Sequence, residues 1–298
     1  LLGDQKLAYS LGQKAKETVR DKFSQIKFLQ FWVKSIEATI IEFLERSPTK
    51  EQIEKNEIFS PSENTPMPQY FKNIRDDIVS LVPDDAVDIL EIGCAAGMTG
   101  KEIKKNPNIY VAGVELDHMA AAEAKNHLDD IFQGNIETIQ LPFPEKRFDC
   151  IIFADILEHL VNPLEVLKKT KEFLRNDGAV IASIPNVQYL GVISQLVEGN
   201  WTYQDEGILD RTHLRFFTFP EIEKLFDEAG YRISSVDETL DPQYKDAKNQ
   251  TTTINIGRLS IKDLSIDELK RFFVYQYKIT AKLKNDTCDQ KKSNSIKE

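Results

Sequence analysis

The segment LEIGCAAGMTG, residues 90 to 100, sets an acidic residue and a glycine where an apolar run ends, followed by small residues and a helical run. Gly93 and Gly97 permit a tight turn there, and Ala95 and Ala96 keep bulk away, so a ligand can be met by the backbone itself. A loop of this kind is also used by dinucleotide dehydrogenases, and many are purely structural. Glu115 follows about 20 residues after the first glycine, ending the run VAGVE, where a carboxylate can accept hydrogen bonds from two ribose hydroxyls. The loop and the acid together point to an adenosine-containing ligand. Farther on, Trp201, Tyr203, Phe216 and Phe217 stand beside Asp205, Asp210, Arg211, His213 and Arg215. Aromatic faces stack on C–H surfaces and charged groups bind hydroxyls, a mix suited to a sugar. The alternative is that these aromatics are core and that Arg211 and Arg215 pair with the aspartates.

The elements that must position these residues alternate in type from residue 70 onward, the pattern of a parallel sheet with helices on its faces. VDILEIG, IYVAGVEL, FDCIIFAD and AVIASIPN are nearly continuous apolar runs and read as buried strands. TGKEIKKN, DHMAAAEAKNHL, PLEVLKKTKEFL and PEIEKLFDEAGY read as helices, the third capped by NDG and the last stopped at Gly230. RISSVDE and TTINIGRLSI are expected as the last strands, and KNDTCDQKKSNSIKE as a disordered tail. The organisation expected is a helical segment at 1–47, a proline-rich linker at 48–69, the main domain at 70–260, and a C-terminal helix and tail at 261–298.

EIGCAAG, then VELD, then FDCIIFADILEHLVNP, in that order, resemble the class I S-adenosylmethionine-dependent methyltransferases. The resemblance implies a Rossmann-like α/β fold, with a mostly parallel seven-stranded sheet and helices on both faces. It implies S-adenosyl-L-methionine as cofactor, with Gly93, Cys94, Ala95 and Gly97 lining its methionine part, Glu91 orienting that loop, Glu115 holding the ribose and Leu116 flanking the adenine. Asn135 and Ile136 are then the expected adenine contacts, the Asn standing where an acid is usual and offering its side-chain carbonyl to the adenine amino group. Asp155 belongs near the sulfonium or the acceptor. Ala95 departs from the family's middle glycine, and weaker cofactor binding is the expected consequence. Residues 183–218 resemble a subgroup of bacterial methyltransferases linked to cell-surface polysaccharide synthesis, with a sugar or glycan as acceptor and Trp201, Tyr203, Asp210, Arg211 and Arg215 as its binding residues. An alcohol attacking the methyl must lose its proton, and His213 or His159 is the natural base. His118 and His127 read as surface residues of a helix.

Composition excludes several other classes. Acids outnumber bases 48 to 38, for a net charge of −10, so a nucleic-acid backbone is a poor partner. Cys94, Cys150 and Cys288 lack the spacing of a disulfide framework or a zinc site, and a reducing, cytoplasmic location is expected. No run reaches the ~20 apolar residues of a membrane span. No metal site is expected by default, although Asp210 and His213 could take part in one. Residues 1–45 resemble the C-terminal helices of a GT-B glycosyltransferase; that implies a glycosyltransferase–methyltransferase fusion and a chain cut from a longer polypeptide, the alternative being a helical hairpin that packs on the main domain or mediates a homodimer. Competing functions are methylation of a quinone, lipid or other small metabolite, which predicts an apolar acceptor pocket, and a non-catalytic scaffold. A nicotinamide dehydrogenase would need a third glycine where Met98 stands.

Overall fold

The computed structural model describes residues 73–250 and 252–284, so the expected N-terminal helices, the linker and the last residues of the tail lie outside the described residues. Nine strands and eight helices are labelled here in chain order. They are α1 (Asp76–Val79), β1 (Asp88–Ile92), α2 (Met98–Ile103), β2 (Tyr110–Glu115), α3 (His118–Ala124), β3 (Asp130–Gln133), β4 (Phe148–Ala154), α4 (Pro163–Lys171) and β5 (Leu174–Pro185). There follow α5 (Leu190–Val197), α6 (Phe219–Ala229), β6 (Tyr231–Leu240), α7 (Tyr244–Gln250), β7 (Ile254–Ile256), β8 (Leu259–Ile261), α8 (Ile266–Arg271) and β9 (Val274–Leu283). Seven strands form one sheet in the order β3-β2-β1-β4-β5-β9-β6, all parallel except β9, which runs antiparallel to both neighbours. This is the expected Rossmann-like, mostly parallel sheet.

Both faces of the central strands are buried, which is why they read as unbroken apolar runs. Ile89, Val111, Cys150, Ile152 and Ile181 pack under α1, α2 and α3 with Ile78, Ile103 and Ala124. The alternate residues Leu90, Ile92, Val114, Ile151, Phe153 and Val180 pack under α4 and α6 with Leu167, Ile222 and Phe226. Helix α6 presents Ile222, Leu225, Phe226 and Ala229 at helical spacing, carries proline in its first turn and ends on Gly230 in the left-handed region, φ 89°. Fully burying Phe226 is worth roughly 1.5–3 kcal/mol.

The structure corrects three local expectations. The NDG motif does not cap α4, which ends at Lys171. The amides of Lys146 and Phe148 bond the carbonyls of Glu172 and Phe173, drawing that segment into pairing with β4. Asn176, Asp177 and Gly178 then form an irregularity in β5, where a Cβ on Gly178 would stand 2.9 Å from the Asp149 carbonyl oxygen. TTINIGRLSI is no strand of the main sheet but the separate β7–β8 hairpin. The segment read as C-terminal helix and tail contains β9, which sits between β5 and β6 and buries Val274, Tyr277, Ile279 and Ala281. Strand β3, four residues long at the sheet edge, had no signal in the apolar pattern. Among the described residues no helix is long and apolar enough to cross a membrane.

Candidate functional site

The chain reverses its winding between β1 and β4, and open α/β sheets bind ligands outside the carboxyl ends of the strands at such a point. The loops after β1, β2, β3 and β4 meet there. Gly93, φ 73°, turns the chain out of β1 and donates to the Val114 carbonyl at 2.8 Å. A Cβ on Gly93 would lie 2.8 Å from Ile156 Cδ1, so only glycine leaves the cleft mouth open. Ala95 takes φ 49°, a strained conformation for a residue with a side chain, and its amide donates to Glu115 Oε2 at 2.9 Å. The other oxygen of Glu115 accepts from the Asp117 amide at 2.7 Å. Two backbone donors thus aim a buried carboxylate, each oxygen keeping a lone pair for an incoming hydroxyl.

The cleft, about 470 Å³, is lined by Gly93, Val114, Glu115, Leu116, Gly134, Asn135, Ile136, Glu137, Ile156, His159 and Leu160. Five of the expected cofactor residues, Gly93, Glu115, Leu116, Asn135 and Ile136, therefore share it. Leu116 is an exposed lip and Ile136 a buried wall. Asn135 is placed differently from the expectation in one respect. Its side-chain oxygen accepts from the Glu137 amide at 2.8 Å, so the carbonyl is turned into its own loop. Gly97 also departs. It is buried, and a Cβ there would meet Ala124 at 3.2 Å, so its smallness serves the packing of α2 on α3. The Cys94 thiol likewise points into the core. Glu91 lies beneath the loop, 3 % exposed, with Oε2 unpartnered, and burial pushes its carboxyl up to about 8. Asp155 stands at φ 54° and lines a neighbouring cavity. Its carboxylate is gripped by Arg75, by Ser183 Oγ at 2.9 Å and by Gln276 Nε2. Arg75 and Gln276 carried no local signal, lying 80 and 121 positions from Asp155 in sequence.

That second cavity, about 530 Å³, is lined by Asp155, Glu158, His159, Pro185, Glu206, Gly207, Asp210, His213, Tyr275 and Gln276. His159 lines both cavities. Burial, then the neighbouring His213, hold its imidazole below its ordinary pKa, which keeps it neutral near pH 7. His159 and His213 meet edge to face at 4.7 Å. Each Nδ1 faces a backbone carbonyl, Ile208 at 3.0 Å for His213 and Thr212 at 3.3 Å for His159, and His159 Nδ1 also stands 3.2 Å from the Thr212 hydroxyl, contacts that leave each Nε2 turned away from them. Glu158, 1 % exposed, has no hydrogen-bond partner on either carboxyl oxygen, and burial pushes it up to about 8. Ligand atoms of Glu158, His159 and His213 lie within 4.8 Å of one another. Asp210 is not in that group. Burial tends to raise it, but the hydroxyl and amide of Thr212 hold it below the usual carboxylate range.

The other acceptor residues expected from sequence are not in the cavity lining. Arg211 pairs with Asp205 at 2.7 Å on the surface, and Arg215 donates to the Val161 carbonyl, each nearer partner outcompeting the cavity. Trp201 and Tyr203, 38 % and 46 % exposed, pack against Phe216 on the outside of the loop that carries His213. His127 pairs with Glu123 on α3.

A family model described as a methyltransferase domain matches residues 41–236. The ubiquinone biosynthesis O-methyltransferase of Cereibacter sphaeroides is 24 % identical over 197 residues, covering 64 % of this chain and 75 % of that protein. A probable S-adenosylmethionine-dependent methyltransferase of Mycolicibacterium smegmatis is 24 % identical over 148 residues, 49 % of this chain and 52 % of that protein. The solved structure of a SAM-dependent methyltransferase from Archaeoglobus fulgidus is similar with a TM-score of 0.47 and 17 % identity, over 72 % of this chain and 96 % of that one.

Proposed function

The chain belongs to the methyltransferase-domain family and uses S-adenosylmethionine, and from that premise we propose that it methylates a hydroxyl of a sugar or glycan acceptor. One observation carries the reading: His159 lines both the glycine-loop cleft and a second cavity, around which Asp155, Glu158, Glu206 and Asp210 are gathered. A polyhydroxylated acceptor finds hydrogen-bond acceptors and donors there.

The residues present fit the cofactor. Gly93 keeps the mouth of the cleft open, Glu115 has lone pairs free for two ribose hydroxyls, and Leu116 and Ile136 offer apolar surface to the adenine. Arg75, whose backbone amide donates a hydrogen bond to Thr99 Oγ1 in α2, has its guanidinium held between Asp77 and Asp155. When bound, S-adenosylmethionine supplies a methyl group on a sulfonium for transfer to the acceptor oxygen. Asp155 holds Arg75, Ser183 and Gln276 through its two carboxylate oxygens. The free Nε2 atoms of His159 and His213 are the groups that take up the hydroxyl proton.

A second acceptor class, a quinone precursor or other small metabolite, is favoured by the name of the Cereibacter sphaeroides relative. Thermal unfolding with and without S-adenosylhomocysteine tests the cofactor part. At 100 times its dissociation constant the ligand stabilises by about 2.7 kcal/mol, and Glu115→Ala is expected to abolish that shift. Methyl transfer to rhamnose- or mannose-containing oligosaccharides, assayed beside catechols, tests the acceptor; transfer to catechols alone overturns the sugar reading.

A further inference from the structure

We infer that Glu158, His159 and His213 form a binding site for a divalent transition-metal cation of the zinc type, opening into the acceptor cavity. The inference deepens the methyltransferase reading above and rests on it for the cation's purpose, though not for its existence. Three ligand atoms of the right kinds, two imidazoles and one carboxylate, lie within 4.8 Å of one another, so a small side-chain movement brings all three onto a single ion. Sequence places the third ligand 54 positions from the second, and the turn at Leu157–His159 receives it because the amides of Leu214 and Arg215 both donate to the Glu158 backbone carbonyl, at 2.8 and 3.0 Å.

Two further observations point to an ion rather than to a hydrogen-bonded cluster. Both Glu158 oxygens are buried and partnerless, and His213 Nε2 stands 4.0 Å from Oε1, too far for a hydrogen bond. Such a carboxyl group is left unsatisfied by everything the described residues offer it. Both imidazoles, moreover, have Nδ1 anchored on a backbone carbonyl, the arrangement that fixes the tautomer of a metal-ligating histidine and leaves Nε2 for the ion. A two-nitrogen, one-oxygen set suits zinc or its cobalt stand-in better than calcium, magnesium or manganese, which favour oxygen ligands. Three protein ligands leave a coordination position for the acceptor hydroxyl, whose proton is then lost to water from the ion-bound oxygen instead of passing directly to an imidazole.

The test is titration of chelator-treated protein with zinc chloride, followed by calorimetry and by thermal unfolding, with Co(II) as the spectroscopic probe of coordination. One equivalent is expected to bind, with a tetrahedral-type Co(II) spectrum. Glu158→Gln and His213→Gln are each expected to lower zinc affinity at least about 100-fold while the shift given by S-adenosylhomocysteine is kept, which separates this site from the cofactor reading and shows that the variants are folded. Substoichiometric binding by the native protein, or equal binding by both variants, overturns the site. Methyl transfer that is indifferent to chelator overturns the cation's role and leaves the histidines as direct bases.

Discussion

Glu91 and Glu158 illustrate how a carboxyl changes character when water is removed, since each is nearly inaccessible and pushed up to about 8, chiefly by burial. Glu91 holds its place under the cofactor loop as a neutral acid at pH 7. Its consequence for stability has a definite sign. Below about pH 4.5 the unfolded and folded chains both carry the proton; between there and about pH 8 only the folded chain does, so stability falls as pH rises, by up to about 1.4 kcal/mol per unit for this group. Above that window the folded form ionises too and the slope from Glu91 ends. Glu91→Gln is expected to remove this one-proton share, which urea unfolding at a series of pH values between 4 and 9 would reveal as a flatter profile. An unchanged profile would mean that Glu91 is already ionised in the folded protein. Ala95 makes the complementary point: a methyl at φ 49° is tolerated because Glu115 accepts its amide, so the departure from glycine is absorbed by a bond the cofactor site needs in any case.

At the scale of elements, the acceptor cavity depends on how β5 hands over to β9. Asn186, fully buried just past the end of β5, donates from Nδ2 to the carbonyls of Arg271 and Val274, both at 2.8 Å, while its oxygen accepts from the Gln188 amide at 3.0 Å. That one side chain ties the start of α5 to the end of α8 and the start of β9. Asn186→Ala leaves those carbonyls without their donor, and a loss on the order of 3 kcal/mol is expected, read as a lower urea midpoint with an unchanged m value. The S-adenosylhomocysteine shift should persist, because the glycine loop lies on the other side of β4. The hairpin β7–β8 and α8 pack with Leu190 and Ile193 of α5 in a small core of their own, which holds this corner of the fold beside the cavity.

Across the whole molecule, β9 is the strand on which the sheet and the site both depend. It alone pairs with β5 and β6 together, and it delivers Tyr275 and Gln276 to the acceptor cavity. A chain ending at Phe273 would forfeit the burial of Val274, Tyr277 and Ile279, each worth roughly 1.5–3 kcal/mol, against a total stability of about 5–15 kcal/mol for a domain. Such a truncation is expected to show no cooperative thermal transition by circular dichroism; a sharp transition would show that the remaining strands fold without it.

What the sequence by itself determined is what local chemistry encodes. Continuous apolar runs marked β1, β2, β4 and β5, glycine and small residues marked the loop after β1, and an acid at the end of β2 marked the carboxylate beneath it, because each signal spans only a few residues. The class of fold and the use of S-adenosylmethionine were implied by the family resemblance that their order carries. Tertiary structure alone decided the rest. Arg75, Ser183 and Gln276 converge on Asp155, and His213 reaches Glu158 and His159, because parallel crossovers and the return of β9 bring together residues with no pattern linking them in sequence. Arg211 and Arg215 look like acceptor ligands as residue types, yet surface partners within reach claim them. Composition can propose such roles. Only packing, which sums contacts over the entire chain, selects which side chains end up facing the same cavity.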